Sequence, residues 1–331
     1  MTAAIVIGLG LLYTCAVIVW APRIAGLLGV MDHPGAQDHK KHVKPTPLVG
    51  GLAAIPPAMV MLVYIYSTNS ASQPQAAAVT ALFLAGMGSM LVGLFDDRRH
   101  IPAFTRLFLC ALIFLLAIAI DPVFLVTTLD IQGLQFGLQL GILAVPFTVL
   151  CLLAFQNAVN MADGRNGLVT GLALIWLVTL LSYKPAMLIM PLLALTLGML
   201  LVTAANIGGR LFLGDAGTYG LGAIIGLSTI WVHRQSIGLH TIDVAIMFFF
   251  PICDMLRLIA LRILNGRHPF SADHHHLHHY LDHSIGWMWG RKAYLLGAGS
   301  PILMVRIEVL SPPTGLVLAS LFYGSLLALR K

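Results

Sequence analysis

Apolar residues run through this chain in blocks close to the ~20 residues that a helix needs to cross a bilayer. The blocks fall at about 3–20, 49–67, 76–95, 104–120, 141–157, 167–182, 186–204, 216–233, 242–262, 292–310 and 313–329. The pattern predicts an all-α fold, a polytopic transmembrane helix bundle of about 11 spans, with 10 as the alternative count. The segment 122–139 has β-branched and Gly-containing stretches and reads as a small hairpin outside the bilayer. Pro312-Pro313 separates the last two apolar blocks and predicts a tight turn there.

Composition agrees with that reading. The 331 residues are 58% hydrophobic and 10% charged, with a mean hydropathy of +0.89. Soluble domains carry about 25% charged residues, and a water-facing surface cannot be built from so few. Length alone suggests two or three soluble domains, but the apolar blocks cover the whole chain, so 1–331 reads as a single integral membrane domain. Cys15, Cys110, Cys151 and Cys253 lie in or beside apolar runs without CxxC spacing, as small buried hydrophobes do. The first block has no basic residue before it and no small-residue cleavage site after it, and reads as a retained span.

Charge then orients the bundle. Eleven spans put loops 21–48, 96–103, 158–166, 205–215 and 263–291 on one side together with the C-terminus. Sixteen of the nineteen lysines and arginines lie on or near that side; Lys184, Arg234 and Arg306 do not. The positive-inside rule makes it cytoplasmic and puts the N-terminus out. The net charge of +6 is accounted for by topology and requires no nucleic acid. A basic inner face also suits anionic lipids and phosphates.

Of thirteen acidic residues only one is Glu. Carboxylates at membrane depth are costly and are candidates for function. Asp96-Asp97 closes one apolar block, with Arg98 and Arg99 beside it to neutralise the pair. Mg²⁺ is often bound through one or two carboxylates plus substrate phosphates. Asn157 and Asn160 share a helix face by their spacing, and Asp163, Asn166 and two glycines follow. Amides can read a nucleobase edge, and glycines let a ligand approach the backbone. Asp215 opens another block, where free N–H groups favour anions or where it serves as a simple cap. The 263–291 loop carries six histidines between His274 and His283, a pattern of soft-metal sites or of donors to phosphate. Lys40, Lys41 and Lys44 offer point charges to phosphate or to lipid headgroups. All five motifs fall on one face and together form a kit for moving a phosphoryl group from a nucleotide.

The segments Pro47-Leu-Val-Gly-Gly51, Gly93-Leu-Phe-Asp-Asp97, Asn157-Ala-Val-Asn-Met-Ala-Asp-Gly164, Phe212-Leu-Gly-Asp-Ala-Gly217 and Pro269-Phe-Ser-Ala-Asp-His-His-His-Leu-His-His279 resemble, in order and spacing, the signatures of the polyprenyl-phosphate N-acetylhexosamine-1-phosphate transferase superfamily, of glycosyltransferase family 4 type. The His-x-His-His form at His276, His278 and His279 is more similar to the WecA-type undecaprenyl-phosphate N-acetylglucosamine-1-phosphate branch, although His274-His275-His276 also resembles the muramoyl-pentapeptide branch. The resemblance implies an integral enzyme of the bacterial inner membrane with its site facing the cytoplasm. It implies a Mg²⁺-dependent transfer, with Mn²⁺ as a substitute, of a sugar 1-phosphate from a UDP-sugar to polyprenyl (undecaprenyl) phosphate, releasing UMP. This is the first membrane step of cell-envelope glycan synthesis, lipopolysaccharide included, and the resemblance also implies a homodimer.

By the same resemblance, Asp96 and Asp97 act on the lipid phosphate. Asp215 holds the metal with Asn160. Asn157, Asp163 and Asn166 lie on the nucleotide side. Lys40, His276, His278 and His279 contact phosphate or sugar. Two places depart from the family pattern: His100 stands where Asp or Lys is usual, and Asn166 where bacterial members carry Asp. Arg165, in the same segment, is a further candidate for altered donor contacts. The alternatives are the same chemistry on another UDP-sugar, such as a muramoyl peptide or a modified hexosamine, a histidine-rich metal transporter, and a degenerate homologue that only binds.

Overall fold

In a computed structural model, described for residues 2–33, 45–68, 73–130, 137–235, 237–269, 271 and 275–329, every apolar block is helical. The helices are α1 (Ala3–Val19), α2 (Ala21–Leu28), α3 (Gly50–Thr68), α4 (Gln73–Arg99), α5 (Ala103–Ile120), α6 (Ala144–Ala162), α7 (Leu168–Ser182), α8 (Ile189–Ile207), α9 (Gly214–Arg234), α10 (Thr241–Leu264), α11 (Leu277–Ile285), α12 (Trp287–Arg306) and α13 (Pro312–Ala328). Six of them, α3, α4, α5, α6, α8 and α10, are long and apolar enough to cross a membrane. A seventh span results if α1 and α2, bent by 75° from one another, count as one. The chain is therefore a membrane helical bundle.

The sequence pattern needs correction in detail. The Asp96-Asp97 pair is not past the end of its span but inside the last turn of α4. Segment 263–291 is not a plain loop: it contains α11 and the first turn of α12. Pro312 and Pro313 do not sit in the turn itself. They open α13, whose N-cap Ser311 accepts from the Thr314 N–H, because proline's missing N–H costs nothing in a first turn. The hairpin in 122–139 is present: β3 (Thr128–Leu129) pairs antiparallel with β4 (Leu138–Gln139). A second short pair, β1 (Met31–Asp32) with β2 (Thr46–Pro47), precedes α3.

Helix α9 is the axis of the bundle. From Gly214 to Val232 every residue but Asp215 is buried, and α3, α4, α6 and α7 pack around it. Small residues allow this, since packing between membrane helices depends on close backbone approach. A Cβ on Gly93 of α4 would overlap the Asp215 carbonyl, and one on Gly51 of α3 would overlap the backbone of Gly217. Farther along, Phe155, Trp176 and Phe248 form an aromatic core, with Phe155 and Phe248 centroids 4.0 Å apart. Trp176 donates its indole N–H to the Met247 carbonyl at 2.8 Å.

The backbone also ties the motifs together. Phe212 N–H donates to the Pro47 carbonyl (2.8 Å), and Gly50 and Gly51 donate to the carbonyls of Phe212 (2.9 Å) and Leu213 (3.0 Å). The Pro-Leu-Val-Gly-Gly segment is thus scaffolding for the start of α9.

Candidate active site

The carboxyl ends of α4, α6 and α8 meet the amino ends of α9 and α12 around a cavity of about 650 Å³. Asp32, Asp97, Asn160, Asp163, Arg165, Asn166, Asn206, Asp215, His279, Trp287 and Arg291 are among its lining. A second cavity, of about 260 Å³ near the β3–β4 hairpin, is walled almost wholly by apolar groups and offers little for phosphoryl chemistry.

Asp97 and Asp215 are joined through the start of α9. One Asp97 oxygen accepts from the Asp215 N–H (2.9 Å) and the other from the Ala216 N–H (3.0 Å). These N–H groups have no partner within their own helix, so Asp97 caps α9 from another helix. The Asp215 side chain receives the Asn160 amide at 2.6 Å, and the same amide reaches Thr218 Oγ1 at 3.0 Å. Asp96 is not among the cavity's lining residues, although its side chain stands beside Asp215. It is 2% exposed, accepts from the Ile101 N–H at 2.8 Å, and is paired with Arg106 of α5. The Arg106 guanidinium also stands 3.7 Å from Asp215.

Asn157 does not join the cavity lining; its amide turns back to the Leu153 carbonyl of its own helix at 2.8 Å. Asp163, beyond the end of α6, does line it. Burial, together with the charge of Asp97, pushes the Asp163 carboxyl up to about 7. The Asn166 carbonyl accepts from Trp287 Nε1 (3.0 Å) and Arg291 (3.3 Å). Buried Asn206 accepts from the Gly167 N–H (2.6 Å) and donates to the Leu211 carbonyl (3.1 Å). Arg165 is paired with Asp282 of α11. The 163–167 segment is therefore fixed from three helices.

The histidines are divided. His279 reaches the cavity. His278 is buried against Gly164, where any Cβ would overlap its ring. Among the described residues its Nε2 has no hydrogen-bond partner, and burial, with His276 and His279 beside it, pushes its pKa well below the usual imidazole range. His276 turns toward Asp254 of α10, 3.3 Å away. Lys40, with Lys41, Lys44 and His274, lies outside the described residues. His100, at φ 48°, follows the end of α4.

Sequence reasoning missed Arg106, Asn206, Trp287 and Arg291. Arg106 and Asn206 are single polar residues at the edges of apolar blocks, where spacing carries no signal. Trp287 and Arg291 look like ordinary interfacial anchors.

Among the described residues, no three His, Cys, Asp or Glu side chains are gathered closely enough to hold a metal ion by themselves. The donor set at the cavity is nevertheless of hard oxygens, from Asp97, Asp163, Asp215 and the Asn160 amide. That suits Mg²⁺, which keeps water and phosphate ligands and takes few from protein.

The glycosyl transferase family 4 model matches residues 79–233, the stretch from α4 to α9. An undecaprenyl-phosphate alpha-N-acetylglucosaminyl 1-phosphate transferase of Yersinia pestis is 27% identical over 90% of this chain and 81% of its own length. A probable undecaprenyl-phosphate N-acetylglucosaminyl 1-phosphate transferase of Bacillus subtilis is 28% identical over 89% and 87%, and the Escherichia coli K12 relative is 26% identical over 91% and 81%. Over residues 79–233 the chain is similar to glycosyl transferase family 4, and over about nine-tenths of its length it is similar to these bacterial transferases.

Proposed function

We propose that this protein transfers N-acetylglucosamine 1-phosphate from UDP-N-acetylglucosamine to undecaprenyl phosphate, releasing UMP. The observation that carries the reading is the cavity that brings Asp97, Asn160, Asp163, Asp215 and His279 together with Arg165 and Arg291 at one end of the bundle. The names of the similar proteins supply the lipid and the sugar. A metal transporter would carry its ionisable ligands near the bilayer midplane, and here they crowd one end.

In this reading an oxygen of the lipid phosphate attacks the β-phosphorus of the donor. A new P–O bond forms, the bond to the bridging oxygen breaks, and UMP departs with that oxygen. Asp97 has both oxygens fixed by α9, yet a carboxylate has about four lone-pair sites. It keeps capacity to take the lipid phosphate's proton or to orient that group. Asp96, paired with Arg106 beside Asp215, holds that end of α4 in register with the site. Asp215 and Asn160 would hold Mg²⁺, which supplies charge neutralisation on the diphosphate. Asp163 and Asn166 belong to the nucleotide side, Asn157 supports that helix end, and His276, His278 and His279 serve the diphosphate or sugar. Lys40 provides a further phosphate contact.

The charge asymmetry supports eleven spans with the N-terminus out and this end of the bundle in the cytoplasm. Bacterial relatives support the inner membrane. The test is UMP release by purified protein in detergent with undecaprenyl phosphate, Mg²⁺ and a panel of UDP-sugars. Release from UDP-N-acetylglucosamine, lost in Asp97→Asn and Asp215→Asn and with EDTA, establishes the reading. Release only from another donor moves the sugar assignment, and no release from folded protein sinks the proposal.

A further inference from the structure

Asp254 has no task in the reaction as described. It sits on α10 at 5% exposure, outside the cavity lining. A carboxylate inside an apolar helix is costly unless its partners are in place. Here they converge from three elements. Oδ1 accepts from Arg257 (2.6 Å), from the Tyr323 hydroxyl of α13 (3.1 Å) and from the Leu277 N–H (3.3 Å). Oδ2 lies 3.3 Å from His276 Nδ1 and 3.3 Å from the Leu277 N–H.

His276 is the N-cap of α11, so the Leu277 N–H is one of the donors that a helix start leaves unsatisfied. Asp254 therefore caps α11 and fixes His276 with the same carboxylate. Arg257 reinforces the arrangement by donating to the His275 carbonyl at 2.5 Å and to Tyr323 at 3.1 Å. From His276 the rings continue to the cavity. His276 and His278 are stacked with centroids 5.1 Å apart, and His278 and His279 are 4.3 Å apart. With a carboxylate against it, Nδ1 of His276 is the donor, which sets the ring's rotation.

We infer that Asp254 is a positioning residue for the transfer reaction: through His276 it sets the row of imidazoles, and so places His279 against the donor's diphosphate or sugar. The inference rests on the transferase reading above. A carboxylate serving only to staple α10, α11 and α13 together would act independently of His276, and that difference is measurable.

The experiment compares UMP release by the full-length protein with Asp254→Asn, Asp254→Glu, His276→Ala and the Asp254→Asn/His276→Ala pair. Alongside it, the rate of diethylpyrocarbonate modification at His276 is read by peptide mass spectrometry. Asp254→Asn is expected to lower kcat by about tenfold to a hundredfold with little change in KM, and Asp254→Glu to recover part of it. The double variant should be no slower than His276→Ala alone, because residues acting as one unit are not additive. Modification at His276 should be faster in Asp254→Asn than in the unmodified protein. Losses that multiply in the double variant, or an unchanged modification rate, overturn the inference. Should Asp254→Asn fail to fold, Tyr323→Phe removes one donor to the same carboxylate and should give a smaller shift in both readings; no shift in either overturns the inference. Failure of the transferase reading is distinguishable, since the unmodified protein then releases no UMP. Failure of Asp254 alone leaves both proteins turning over equally.

Discussion

The backbone N–H of Asp215 donates to the Asp97 carboxylate at 2.9 Å, so one acidic residue of the site caps the helix that presents the other. The Ala216 N–H, 3.0 Å away, completes a two-toothed grip. Position and charge at the site are thus a single structural fact. The first turn of α9 cannot move without moving Asp97, and its positive end faces the cavity where an anionic substrate would lie.

Replacing Asp97 by Asn should therefore cost both activity and stability. An amide presents one oxygen and one NH₂, and the NH₂ would confront a backbone donor. Loss of a helix cap is worth about 0.5–2 kcal/mol. UMP release should fall by about a hundredfold or more, and thermal unfolding in detergent should shift downward. Full turnover by Asp97→Asn would remove Asp97 from the chemistry.

Gly93→Ala should act on the same pair from a distance. The added methyl would overlap the Asp215 carbonyl, forcing α4 and α9 apart at about 1–3 kcal/mol, the usual cost of overpacking. Gly8, where a Cβ meets nothing within 4 Å, is the control. Gly8→Ala should leave unfolding temperature and UMP release unchanged, and equal behaviour of the two variants would contradict the packing argument.

The motifs were legible in the sequence because they interrupt long apolar blocks, and five interruptions in a family order leave little freedom. Which member of each motif faces the cavity was not. Adjacent helical residues point about 100° apart, so Asp97 lines the cavity while Asp96 is buried against Arg106. Asn157 and Asn160 share a face, yet Asn157 found its own backbone before any ligand. The histidines were read as one cluster, whereas Asp254, an isolated residue within an apolar run, separates their roles.

Arg106→Ala should be more harmful than its place outside the motifs suggests. It would leave buried Asp96 without its cation, and breaking a buried ion pair costs roughly 3–5 kcal/mol. Arg106→Ala with Asp96→Asn should recover part of that loss in unfolding temperature, since no lone charge remains. An additive result would show that the pair contributes no coupling.

The Asp163 carboxyl predicts a pH signature. Its pKa rises from 3.8 unfolded to about 7 in the folded protein, so between those values the folded state binds more protons than the unfolded one. Stability then falls as pH rises through this window, by on the order of a few kcal/mol in total, and is flat above it. Asp163→Asn cannot ionise and should lose this dependence. Melting curves at pH 5 and pH 8 check it: the unmodified protein should lose more stability between them than the variant, and parallel changes would contradict the shift.

Helix α9 carries Asp215 but has almost no lipid-facing side, being buried from Gly214 to Val232 apart from Asp215 itself. It is not among the helices long and apolar enough to cross a membrane by composition. During biosynthesis such a segment gains little by entering lipid alone. Its partners α3, α4 and α6 all precede it in the chain, so each has left the ribosome by the time α9 emerges. The order of synthesis thus provides the berth before the helix that needs it, and the acidic centre is assembled by arrival.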